Sequence, residues 1–192
     1  SALLLDDTAT RQQLLGRAHV IAHETAHLWF GDLVTMRWFD DVWMKEVFAN
    51  TMAARIVERA FAGLDAELRF FHGHYPGAYD VDRTPGTHAI RQPLDTLADA
   101  GSLYGPIVYL KSPIVFRHLE QTMGSDRLRS ALREYLDRYR FGNASWSDLL
   151  AILARHTHLD LSTWSRDWIE SAGRPVLRAA RTADGRVNVI SE

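Results

Sequence analysis

His23 and His27 stand four residues apart, with Glu24 directly after the first, in the run His19-Val20-Ile21-Ala22-His23-Glu24-Thr25-Ala26-His27-Leu28-Trp29-Phe30-Gly31. On an α-helix this spacing puts both rings on one face, about 40° apart in azimuth and ~6 Å apart along the axis, so both imidazoles can reach one metal ion. Glu24 then projects beside the ion rather than onto it. The bland alternative is two surface histidines and a solvated glutamate. Against it stand Val20, Ile21, Ala22, Ala26, Leu28, Trp29 and Phe30, which predict a buried helix over 11–30 that stops at Gly31. Buried histidines and a buried carboxylate need partners, and one metal satisfies all of them together.

The motif is the H-E-x-x-H arrangement of zinc hydrolases, in which the glutamate takes a proton from water at the metal. A second helix is expected over 42–62, with Asp40 or Asp41 capping its start and Gly63 ending it. Glu46 is the odd residue on it. Val42, Ala49 and Ala53 lie on or near the same side, and a carboxylate among them is costly unless paired. One reading is a salt bridge to Arg37 or Lys45. The other is a third metal ligand: two histidines and a glutamate leave one of zinc's four positions open, as catalytic sites require. Asn50, one turn after Glu46, is placed to accept a ring N–H from a liganding histidine and fix its tautomer; Thr51 or plain helix packing are the alternatives.

His23-Glu24-Thr25-Ala26-His27, eighteen intervening residues and then Glu46 resemble the zinc aminopeptidases related to aminopeptidase N. Leu28-Trp29-Phe30-Gly31-Asp32-Leu33-Val34-Thr35-Met36 is similar to that family's H-Q-W-F-G-N-L-V-T-M run. Asp41-Val42-Trp43-Met44-Lys45-Glu46-Val47-Phe48-Ala49 is similar to its D-L-W-L-N-E-G-F-A. The departures are Leu28 for Gln, Asp32 for Asn, Lys45 for Asn and Val47 for Gly, and none removes an expected ligand. Tyr109-Leu110-Lys111-Ser112-Pro113 resembles the family's Y-x-K-G-A segment. The resemblance implies that the Tyr109 hydroxyl donates to the oxyanion formed when water attacks the peptide carbonyl. A packed aromatic is the alternative for Tyr109, and Tyr104 matches the family position less well. Pro113 departs from the pattern and predicts a kink beside Tyr109.

The resemblance also implies one Zn2+ held by His23, His27 and Glu46, with Glu24 as general base. The expected activity is release of single amino-terminal residues from a peptide substrate. Two other readings use the same residues. One is a thermolysin-type zinc endopeptidase, and the other is a zinc-binding scaffold without turnover. Family members carry a Gly-x-Met-Glu-Asn segment, whose glutamate binds the substrate's amine, ahead of the zinc helix. Residues 1–22 hold no such segment, so the chain is expected to be a fragment that works with the remaining domains of a longer enzyme.

The expected fold is mainly α: the helical half of a thermolysin-like zinc peptidase catalytic domain over 1–173, then a short β-hairpin over 174–192 that opens a β-sandwich domain. Further helices are expected at 65–74, 106–123, 126–141, 146–157 and 162–171, with Ser125 and Ser145 as caps and Ser145-x-x-Asp148 as a variant capping box. From Tyr75 to Gly105, recurring Pro and Gly predict a long ordered loop. Pro175 to Thr182 and Arg186 to Ile190 flank Ala183-Asp184-Gly185, a hairpin signal. His72 and His74 fall in a predicted helix, where residues two apart diverge, so they are not expected to share a metal. His19 is expected to pack behind His23.

Composition narrows the partners. A net charge of −2 offers no basic field for nucleic acid. No apolar run is long enough to span a bilayer. The absence of cysteine excludes disulfides and thiolate ligands.

Overall fold

A capping box starts the first helix of the computed structural model, which describes residues 3–61, 63–182 and 184–191. The Thr10 hydroxyl accepts from the Gln13 N–H while the Gln13 side chain accepts from the Thr10 N–H, so two donors at the helix start are satisfied together. Helix α1 then runs Arg11–His27. Beyond it the chain folds back on itself: the Asp32 N–H donates to the His27 carbonyl and the Val34 N–H to that of Trp29. Gly31 sits in this bend at φ 139°, a conformation that favours glycine.

Strand β1 (Val34–Met36) leads to α2 (Val42–Ala60), which carries nine buried residues. Its Trp43, Val47, Phe48, Ala49 and Ala53 are all 1 % exposed or less. Trp43 meets Trp146 edge-on at 5.0 Å, and Phe48 meets Phe116 at 5.1 Å. Each such side chain contributes about 1.5–3 kcal/mol by leaving water, so α2 is the axis on which the other helices are assembled. Helix α3 (Ala66–Asp82) follows, then a long connection. A π turn over Ile107–Lys111 runs directly into α4 (Ser112–Met123). Helix α5 (Ser125–Tyr139), strand β2 (Gly142–Ala144), α6 (Trp146–Arg155) and α7 (Leu161–Trp168) complete the helical part. Strand β2 pairs in parallel with β1, Thr35 opposite Asn143. Antiparallel strands β3 (Leu177–Arg181) and β4 (Val187–Ser191) form the terminal hairpin, with Leu177, Val187, Val189 and Ile190 exposed. Among the described residues no helix is long and apolar enough to cross a membrane.

The chain is thus mainly α with a short C-terminal strand pair, as expected. Ala62 and Ala183, from the expected second helix and hairpin turn, lie outside the described residues. The variant capping box forms in full, with Ser145 and Asp148 satisfying each other's N–H groups.

Several expectations are corrected. Helix α1 is only partly buried: Leu15, Ala22 and Ala26 are its buried residues and Ile21 is 54 % exposed, while Leu28 and Trp29, just beyond its end, are 57 % and 48 % exposed. Helix α3 does not stop at residue 74 but passes through Pro76 to Asp82. Gly77 is there for packing: a Cβ on it would fall 2.6 Å from Leu110 Cδ1, so the π turn rests directly on the α3 backbone. The expected loop therefore begins after Asp82. Ser125 opens α5 without capping it; Gly124, at φ 90°, takes the cap position. Asp41 precedes α2 without capping it, since its buried carboxylate accepts instead from Arg91 Nε and the Trp146 N–H. Pro113 falls in the first turn of α4, and the helical irregularity expected beside Tyr109 takes the form of the π turn that directly precedes it.

Candidate metal centre

The last two turns of α1 lie along the first two turns of α2. His23 Nε2 and His27 Nε2 are 3.1 Å apart, and Glu46 Oε2 lies 3.4 Å from the first and 3.8 Å from the second. Among the described residues this is the one group of histidines and acids whose ligand atoms converge. The rings are half-buried and Glu46 is buried at 4 % exposure.

The far side of each ring decides what the near side can do. His27 Nδ1 is 3.0 Å from the Phe30 carbonyl, which can only accept, so Nδ1 carries the proton and the neutral ring presents a lone pair at Nε2. His23 Nδ1 is 3.0 Å from Asn50 Oδ1, which imposes the same tautomer. Two lone pairs and a carboxylate oxygen thus face one point with no proton between them. A four-coordinate zinc with bonds of about 2.0–2.1 Å sets its donors about 3.3 Å apart. Separations of 3.1, 3.4 and 3.8 Å fit that spacing, and the nitrogen and oxygen donor types suit zinc.

The three groups are also coupled electrostatically. The hydrogen bond to Glu46 raises the His23 pKa against the opposing effect of burial. Burial pushes Glu46 up, but the His23 hydrogen bond and the charges of Lys45 and His27 outweigh it, so its pKa is lowered. Of the two alternative partners for Glu46, Lys45 is present, with Nζ 3.5 Å from Oε1, while Arg37 pairs with Asp148. Lys45 binds the oxygen turned away from the histidines, so pair and ligand set are compatible.

Tyr109 stands on the π turn, half-buried, with its ring 6.3 Å from that of Tyr104. Burial, then the Glu46 carboxylate beside it, pushes its pKa up to about 12. The phenol therefore keeps its proton at neutral pH and is a donor. Glu24 is exposed on α1, and among the described residues no hydrogen bond or ion pair holds its carboxylate. Its charge reaches both His23 and Tyr109. His19 packs behind, its ring 6.5 Å from that of His23, and burial lowers its pKa. His72 and His74 stay apart from the centre; His74 Nδ1 donates to the Phe70 carbonyl.

The Phe30 carbonyl was not foreseeable as a site component, because every residue carries one. Only the backward fold of residues 28–34 aims it at His27.

Residues 1–168 match the peptidase family M1 domain. The chain is 34 % identical over 177 residues to Probable aminopeptidase 2 of Sulfurisphaera tokodaii, covering 92 % of the chain and 23 % of that protein. It is 35 % identical over 193 residues to aminopeptidase N of Lactobacillus helveticus, with 97 % and 22 % covered. It is 38 % identical over 165 residues to aminopeptidase N of Streptomyces lividans, with 84 % and 19 % covered. The chain spans about a fifth of the length of these curated relatives.

Proposed function

The chain belongs to peptidase family M1, and on that premise we propose that it carries the zinc centre of an aminopeptidase that removes amino-terminal residues from peptides. The observation that carries the reading is the convergence of His23 Nε2, His27 Nε2 and Glu46 Oε2, each ring tied back through Nδ1. Residues 1–173 are read as the helical part of the catalytic domain. Residues 174–192, with their exposed apolar hairpin, are read as the opening of a β domain that follows in the longer enzyme.

His23, His27 and Glu46 hold the ion. When bound, zinc supplies Lewis acidity, bringing the pKa of a water toward ~7 and polarising the substrate carbonyl. Glu24, exposed beside the centre, accepts the proton of the attacking water and passes it to the leaving amine. Tyr109, kept protonated by burial, donates to the oxygen on which negative charge grows.

In the full-length enzyme, Glu24→Gln is expected to keep one zinc per chain and lose activity, and Glu46→Ala to lose both. Full activity in Glu24→Gln refutes the assignment. A free-amine peptide compared with its acetylated counterpart separates an aminopeptidase from an endopeptidase: equal cleavage of both overturns the aminopeptidase reading.

A further inference from the structure

The turn that carries Tyr109 is held from behind by a buried cation. Lys111 is 5 % exposed, and its Nζ donates to Asp82 Oδ1 at 2.9 Å and to the Gly173 carbonyl at 2.5 Å. Asp82, at the end of α3, is 6 % exposed and also accepts from Thr87 Oγ1 at 2.6 Å. Leu110, between Lys111 and Tyr109, lies against Gly77 of α3 with no room for a Cβ. Ser112 closes the turn: its N–H donates to the Ile107 carbonyl and its hydroxyl to that of Val108.

Residues two apart on a helical turn point to nearly opposite sides. Lys111 is fixed on the α3 side, which leaves Tyr109 directed toward α2 and Glu46. If filling space were all that was needed, a methionine would do it. An ammonium out of water demands a carboxylate and further acceptors in fixed directions. All are present, and they restrain the turn at its last residue. Gly173, at φ 79°, is where the helical part ends and the chain turns toward the hairpin.

We propose that Lys111 is a positioning residue for Tyr109: its buried tie to Asp82 and Gly173 holds the π turn so that the phenol faces Glu46, and links the exit of the helical part to that phenol. The inference rests on the reading of Tyr109 as the donor to the oxyanion.

The test is a double-mutant cycle in the full-length enzyme, comparing wild type, Lys111→Met, Tyr109→Phe and the double variant. A misplacement of about 1 Å near the reacting atoms can lower a rate by up to about a hundredfold. Lys111→Met is expected to lower kcat about tenfold, with KM changed less than about twofold. In the Tyr109→Phe background it should remove less than about twofold more, since the group it positions is gone. Removing one member of a buried pair can unfold a protein. The cycle is therefore run in parallel with the paired change Lys111→Met/Asp82→Leu, which leaves no charge stranded. Equal losses in both backgrounds, or an unchanged kcat in a folded variant, overturn the proposal. An unchanged kcat in Tyr109→Phe alone instead overturns the reading of Tyr109, and the single variant shows which has failed.

Discussion

Asn50 Oδ1 lies 3.0 Å from His23 Nδ1, one helical turn beyond Glu46 on the same helix. Helix α2 therefore supplies both the carboxylate at the front of the centre and the acceptor that turns a ring of α1 toward it. The two helices are joined through the candidate site itself.

Asn50→Ala is expected to weaken zinc binding by about 10–100-fold without unfolding the chain. Competition with a chromophoric chelator, with circular dichroism as the control for folding, measures this. An affinity equal to wild type removes the role.

The Asp148 carboxylate accepts from the Ser145 backbone N–H and hydroxyl and pairs with Arg37, 3.3 Å away. The backbone hydrogen bond to Ser145 is the largest cause of its lowered pKa, with burial opposing. A folded pKa below the unfolded value of about 3.9 means stability that is present above that pH and lost as pH falls through the folded value. Asp148→Asn should thus be less stable than wild type at neutral pH by about 0.3–1 kcal/mol, with the gap closing below about pH 3.9. Urea unfolding across that range tests it; a gap that widens in acid has the wrong sign.

Arg91 Nε and Nη2 donate to Asp41 and Asp40, each at 2.6 Å, and Asp41 is 1 % exposed. Arg91→Met strands the Asp41 carboxylate and should destabilise by about 3–5 kcal/mol. Arg91→Met/Asp41→Asn should recover part of the loss. Urea midpoints decide it, and a cost under about 1 kcal/mol, the range of exposed pairs, counts against the buried-pair account.

Gly77→Val places methyl groups where Leu110 already sits and should cost about 1–3 kcal/mol. The same change in a Leu110→Ala background should cost less, because the space is then open. Thermal unfolding of the four proteins gives the coupling, and additive losses mean the two do not meet.

The centre was readable because its parts are local. His23 and His27 are fixed by one helix, and Glu46 and Asn50 by the next, so helical period alone put each pair on a common face. What could not be read depends on contacts across long stretches of chain. Pro76 and Gly77 read as the end of a helix, and only the arrival of Leu110 makes a glycine there a packing requirement. Asp41 read as a cap, and only the approach of Arg91, fifty residues on, turns its carboxylate away. Pro113 marked an irregularity beside Tyr109, but its form, a π turn over Ile107–Lys111, leaves no periodic mark in the sequence. The apolar residues on and just after α1 read as burial, whereas Ile21, Leu28 and Trp29 stand open.

The terminal ribbon sets a practical limit. Its two strands, paired with each other in a two-stranded sheet, each have an outer rim beside exposed Leu177, Val187 and Val189. Such rims recruit further strands from any chain they meet. Expressed by itself, this piece should stick to copies of itself, and trimming after Gly173 should keep it dispersed.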